Sequence, residues 1–230
     1  MKKLIMLLCF LSSVAEAKTT TYLRPQPTPK QEVVKAVPAQ VIQVVTTLPV
    51  LASIARSIGG ERVKANSLSS ASEDPHFVKA KPTFKVLLKN ADLFIQIGRS
   101  LELWVPLVVN SSGNQKLISG ERLITASTNV GMLEVPSALN RSLGDIHPQG
   151  NPHVWLSPQA ALKMASTIKD ALIKVDGASK DVFEKNYQTF KQELSVAMFG
   201  QEVVTASGNV DFLWRLHEGQ KLKSYVLEKK

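Results

Sequence analysis

The chain has 230 residues, 44% hydrophobic and 20% charged, which is enough for one medium domain, or one and a half small ones, with a sizeable core. Its formal net charge of +9 does not mark a nucleic-acid binder. The lysines are scattered, apart from small clusters at 79–89 and 221–230, and no basic stripe is interleaved with aromatics.

In chain order, MKKLIMLLCFLSSVAEA (1–17) reads as a secretory signal. Lys2 and Lys3 form its basic end, Leu4 to Leu11 its apolar stretch, and Ala15-Glu16-Ala17 a small-x-small cleavage site. The apolar run is too short for a mature membrane span, and no later stretch is apolar enough to be one. Cys9 lies inside the apolar stretch behind the large Leu8, so the expectation is soluble export rather than lipidation. Cleavage after Ala17 removes Lys2, Lys3, Glu16 and the only cysteine, taking the charge from +9 to +8 and leaving no disulfide or thiolate chemistry. Residues 18–38 hold four prolines and little apolar content, the composition of an extended, poorly ordered leader.

An ordered region is expected from 39 to 158. VIQVVTT (41–47) is β-branched and strand-like, and LPVLASIARSIGG (48–60) has helical spacing with Gly59-Gly60 as its stop. ERVKANSL (61–68) reads as a second strand and SSASEDPHFVKAKP (69–82) as turn and loop. Thr83 to Asn90 predicts a short helix capped by Thr83, and Asp92 to Ile97 an apolar strand of the buried parallel type. Leu101 to Val109 predicts another helix, ERLITAS (121–127) another strand, and 128–152 a long irregular segment. Strands alternating with helices define an α/β layer with a parallel sheet, whose ligands collect at the carboxyl ends of the strands. A helical segment follows from 159 to 200. QAALKMASTIKDALIKV (159–175) carries Ala161, Met164, Ile168 and Leu172 on one face, and the longer 182–199 helix carries Phe183, Tyr187, Phe190 and Leu194. Residues 201–230 predict one or two short amphipathic helices.

Four histidines are present, and two share one local chemistry. His76 in SEDPHFV and His153 in GNPHVW each follow a proline and precede an apolar residue, at the ends of strand-like runs. Proline stiffens such a loop and lowers the entropy lost when a side chain is held for a ligand. Two imidazoles so placed suit one divalent ion, Zn²⁺, or Mn²⁺ or Fe²⁺ when carboxylates join. His147, six residues before His153, either completes such a site, recruits metal from solvent or does nothing. Glu73, Asp74 and Asp145 are the candidate supporting carboxylates. His217, beside charged residues in WRLHEGQ, reads as a surface histidine. The sequence has no G-x-S-x-G, P-loop, G-x-G-x-x-G or H-E-x-x-H, so enzyme readings are thin.

With VVTTLPVLASIARSIGGERV, EDPHFVKAKPTFKVLLKNADLFIQIGRSLELWV and GNPHVWLSPQAALKMASTIKDAL in that order, residues 40–200 resemble the zinc/manganese substrate-binding proteins of bacterial ABC transporters. The resemblance implies an α/β fold: a parallel-sheet sandwich lobe of the metal-receptor type plus a long connecting helix, here 182–199, with most of the second lobe missing. It implies His76 and His153 as metal ligands, with Gly98, Glu102 and Trp104 of the G-x-x-L-E-x-W segment as structural support. No residue after Gly200 matches a second-lobe ligand. The implied function is an exported, periplasmic or secreted, non-enzymatic protein that captures Zn²⁺ or Mn²⁺ for an ABC permease. The alternatives are a truncated member without transport function, acting as an interaction module or relic, and, more remotely, a small metallohydrolase. A dimer through the exposed cleft face is a further expectation.

Overall fold

β1 (Ile42–Thr46) begins the ordered chain, and α1 (Pro49–Gly59) follows it with Pro49 in the first turn, where a missing N–H costs nothing. At Gly59 a Cβ would lie 2.1 Å from Cγ2 of Val63, so the close return of the chain into β2 (Val63–Ser67) needs glycine there. A 3-10 turn over Gly60–Arg62 takes the first part of the expected second strand. α2 (Pro82–Lys89), β3 (Leu93–Gln96), α3 (Val105–Ser112), α4 (Gln115–Ile118) and β4 (Leu123–Thr125) complete the sheet and its connections. These elements come from a computed structural model, which describes residues 41–136 and 147–228, all within one unit, Pro38–Lys230. The expected signal and leader lie outside the described residues.

All strands are parallel, in the order β2-β1-β3-β4. Val44 of β1 stands opposite Ala65 of β2 and Leu93 of β3. Helices cover both faces, which is why β1 and β3 read as nearly unbroken apolar runs. On one face Ile42, Val44, Leu51, Ile58 and Ile95 pack with Met164, Ile168, Leu172 and Phe183. On the other, Val45 and Phe94 pack with Phe84, Leu88, Val108 and Leu117. Fully burying one such side chain contributes about 1.5–3 kcal/mol.

Two helix starts differ from the expectation. α2 begins one residue earlier, with Lys81 at the cap position and Pro82 in the first turn, so Thr83 does not cap it. α3 begins at Val105 rather than Leu101, because Pro106 has no N–H to give the Glu102 carbonyl and fits only in the first turn of a helix.

α5 (Pro158–Val175), capped by the Ser157 side chain, lies on the first face of the sheet. α6 (Lys180–Phe199) is about 30 Å long at 1.5 Å per residue. Its first half buries Phe183 as expected, but its second half buries Lys191 and Ser195. Lys191 pairs with Asp211, and Ser195 accepts a 2.8 Å bond from Trp214 Nε1. Both partners come from α8 (Val210–Glu218), which follows α7 (Gln201–Ser207) and precedes α9 (Leu222–Glu228). Three short helices therefore occupy the tail where one or two were expected.

Candidate metal centre

The carboxyl ends of the strands carry a buried polar network. Thr47 donates to Glu102 Oε1 at 2.7 Å, and Ser69 donates to the Thr47 carbonyl at 2.6 Å. Glu102 also accepts the backbone N–H groups of Ile97 (2.7 Å) and Gly98 (2.8 Å). Its residue is only 4% exposed, and burial pushes the carboxyl pKa up against the pull of those donors. Gly98 has φ +85, and a Cβ there would meet Thr125 Cγ2 at 2.5 Å. Arg99 then reaches across to Ser127 Oγ and O, both at 2.8 Å, and to the Val130 carbonyl. The loops leaving β1, β3 and β4 are thus tied to one another before any imidazole is placed.

The first histidine loop hangs from this frame. Trp104 Nε1 donates to the Pro75 carbonyl at 2.8 Å, which fixes the residue before His76. Asp74 Oδ1 accepts the His76 backbone N–H at 2.9 Å and lies 2.8 Å from His76 Nδ1. Those bonds, the backbone one first, hold the Asp74 pKa below the usual carboxylate range. Glu73 points elsewhere. It accepts from Lys81 at 2.8 Å and from the Ser70 N–H at 2.7 Å, which lower its pKa to about 2.

The second loop leaves the 3-10 turn over Ala126–Asn129 and returns through residues 147–153 to a second 3-10 turn, Val154–Leu156. Asn151 N–H bonds the Leu133 carbonyl at 2.9 Å, and Gly150 N–H bonds the His147 carbonyl at 3.0 Å. Asn151 Oδ1 accepts the His153 backbone N–H at 2.9 Å and lies 2.9 Å from His153 Nδ1. The two Pro-His loops therefore have the same internal clamp. The sequence carries the signal as a doubled polar-Pro-His, and the structure adds that the polar residue is in each case the side chain that clamps the histidine.

The loops bring His76, His147 and His153 together. Ring centroids are 5.0 Å apart for His76–His147, 5.3 Å for His76–His153 and 5.9 Å for His147–His153. Nε2 of His76 and Nε2 of His147 are 3.2 Å apart. Two imidazole nitrogens on one tetrahedral zinc stand about 3.3 Å apart, given Zn–N of about 2.0–2.1 Å. The pair is thus near the spacing that a shared ion imposes, although among the described residues no group of three or more His, Cys, Asp or Glu is placed so that it could hold a metal ion. Neither of the two described carboxylates is aimed as a ligand: Asp74 faces an imidazole nitrogen and Glu73 closes its own loop. Asp145 lies outside the described residues. His217 is half-buried on α8 against Phe199 and Trp214, so it is a packing residue rather than a free surface group. Beside His153 opens a cavity of about 500 Å³ lined by Met132, Leu133, Leu156, Ala160 and Lys163 among others.

A three-layer α/β lobe with imidazoles converging at its strand ends defines a candidate metal-binding lobe. The chain belongs to the family described as the periplasmic zinc-uptake complex component A, ZnuA, whose model matches residues 44–198. It is 26% identical over 160 residues to the zinc-binding lipoprotein AdcA of Streptococcus pneumoniae, covering 66% of this chain and 30% of AdcA. It is 27% identical over 173 residues to the manganese ABC transporter substrate-binding lipoprotein PsaA of the same species, covering 74% of this chain and 52% of PsaA. In structure it is similar to a zinc-bound ZnuA deletion mutant, with a TM-score of 0.57 and 26% identity over 67% of this chain and 55% of that one. The chain thus spans between about a third and about half of the proteins it resembles.

Proposed function

We propose that this protein is a divalent-metal receptor that captures Zn²⁺ or Mn²⁺ and delivers it to an ABC permease, without catalysis. The observation that carries this reading is the convergence of His76, His147 and His153 from two loops of one lobe. Membership of the zinc-uptake family, together with zinc- and manganese-binding relatives, supports it. Of the three roles left open for His147, completing the site is the one its contact with His76 favours. Glu73 and Asp74 act as supports of the His76 loop and not as ligands.

Export through the 1–17 segment is part of the same proposal. Two relatives are named as lipoproteins, and no helix among the described residues is long and apolar enough to cross a membrane. Phe77, Leu103 and Leu156 are each about three-quarters exposed on the loops of the site or beside them, the kind of apolar surface that a docking partner covers. The permease, a second lobe or a second copy is the class of partner proposed for it.

The deciding experiment is a titration of the purified protein with zinc, and separately with manganese, against a competing chelator. One ion per chain, with affinity falling more than about 100-fold in His153→Ala, is the expected result, since loss of a direct ligand exceeds the usual cost of losing a residue behind one. Weak binding that is indifferent to His153→Ala and His76→Ala would overturn the reading.

A further inference from the structure

We propose that Asp74 and Asn151 are a matched pair of positioning residues: both hold a Pro-His imidazole as the tautomer protonated at Nδ1, and the neutral Asn151 moderates how tightly its ring grips the ion. The second half rests on the metal-receptor reading; the first does not.

The tautomer follows from which groups can donate. An ionised carboxylate only accepts hydrogen bonds. Asp74 Oδ1, 2.8 Å from His76 Nδ1, therefore requires the proton on that nitrogen. An amide has a donor end and an acceptor end, so Asn151 needs a second constraint. Glu134 supplies it, because Asn151 Nδ2 donates to Glu134 Oε2 at 2.8 Å and a carboxylate accepts nothing but a donor. The amide oxygen is left facing His153, where it also takes the His153 backbone N–H at 2.9 Å. His153 Nδ1, 2.9 Å from that oxygen, must then carry its proton as well. In a neutral imidazole protonated at Nδ1 the ligating lone pair is on Nε2. Nε2 of His76 is the atom that faces His147.

The pair is unequal in charge. A carboxylate behind a ligating histidine raises its basicity more than an amide does. His76 has the carboxylate directly, whereas His153 has it one residue removed, through a Glu134–Asn151–His153 chain of hydrogen bonds. A receptor must let its cargo go, and a neutral orienter keeps one ligand correctly turned without adding a second direct anion behind the site.

The test uses the full chain, zinc alone with a competing chelator, and two-bond ¹⁵N–¹H spectra of the histidine rings recorded without metal. Wild type is expected to show Nδ1–H tautomers at His76 and His153. Asn151→Ala should leave His153 in a tautomer mixture and weaken zinc binding by about 10–100-fold. Asn151→Asp combined with Glu134→Gln, which gives the new carboxylate oxygen a donor, should restore the tautomer and bind zinc several-fold more tightly than wild type. Asp74→Asn should keep the His76 tautomer and bind several-fold more weakly. An Nε2–H tautomer at His153 in wild type, or an Asn151→Ala protein with unchanged tautomer, overturns the positioning role. An Asn151→Asp, Glu134→Gln protein that binds no tighter than wild type overturns the moderating role. If wild type bound no zinc, the receptor reading and the moderating role would fall together, while the spectra would still decide the positioning role.

Discussion

At the amino ends of the strands, Arg62 closes on Asp176 at 2.6 Å, and Ser179 adds a 2.7 Å bond to the same carboxylate oxygen. At the carboxyl ends, Glu102, Thr46, Thr47, Ser69 and Ser127 are all buried and bond one another or the main chain. The first end is a clasp at the surface, with Arg62 and Asp176 side chains 25% and 17% exposed. The second is a polar network inside the protein. Surface ion pairs contribute little and respond to solvent, whereas a buried group that loses its partner is costly. The difference shows where this lobe commits its structure. Its amino end needs only to stay closed, but its carboxyl end must hold two loops in register with each other.

The sharpest way to break the comparison is to empty the buried end. Glu102→Ala leaves the Thr47 hydroxyl and the Ile97 and Gly98 N–H groups without their acceptor. At about 1–3 kcal/mol for each buried unsatisfied group, a loss of about 3 kcal/mol or more is expected in urea denaturation. A loss below about 1 kcal/mol would mean that water replaces the carboxylate and that the two ends are not so different.

A smaller effect is expected one step outward. Trp104→Phe keeps an aromatic ring against the core but removes the indole N–H that bonds the Pro75 carbonyl. Stability should fall by about 1 kcal/mol. Zinc affinity should fall several-fold as the His76 loop loosens, while His153-dependent binding persists. Unchanged affinity would place the hold on His76 in Asp74 alone.

The smallest effect belongs to the amino end and depends on pH. The Arg62 bond, and then that of Ser179, hold the Asp176 pKa below its usual value of 3.8. A carboxyl whose folded pKa is depressed stabilises fully above its unfolded pKa and loses that contribution as pH falls through the folded one. Wild type should therefore lose stability more steeply than Asp176→Asn below about pH 4, and the two should run parallel above it. Parallel curves throughout would mean that the clasp contributes nothing measurable.

Much of the lobe was legible in the sequence because its signals are local. Apolar runs such as DLFIQI mark buried parallel strands, and the doubled Pro-His marks the ligand loops. What could not be read depends on distant partners. Glu102 and Thr47 are 55 positions apart, and Trp104 and Pro75 29 apart, so no spacing rule connects them. The left-handed angles at Arg99 and Ser100 serve the Arg99 bonds to Ser127 and follow from no preference of those residue types, whereas Pro106 is the local signal that sets the start of α3. Phe183, Tyr187 and Phe190 of α6 pack on the core as their spacing predicts, whereas the buried Lys191 and Ser195 face Asp211 and Trp214 of α8, which no local spacing reveals.

The three tryptophans are spread over three parts of the molecule, and the Trp155 ring is the one in contact with a histidine of the converging cluster. The Trp155 ring centroid is 5.2 Å from that of His153, whereas Trp214 is tied to Ser195 between α6 and α8. Ultraviolet emission from Trp155 should therefore register metal occupancy of its neighbouring imidazole at constant pH, where Trp214, beside His217 on α8, stays unchanged. The lobe carries its own optical gauge, and a single Trp155→Phe chain would identify which part of the signal belongs to the loop.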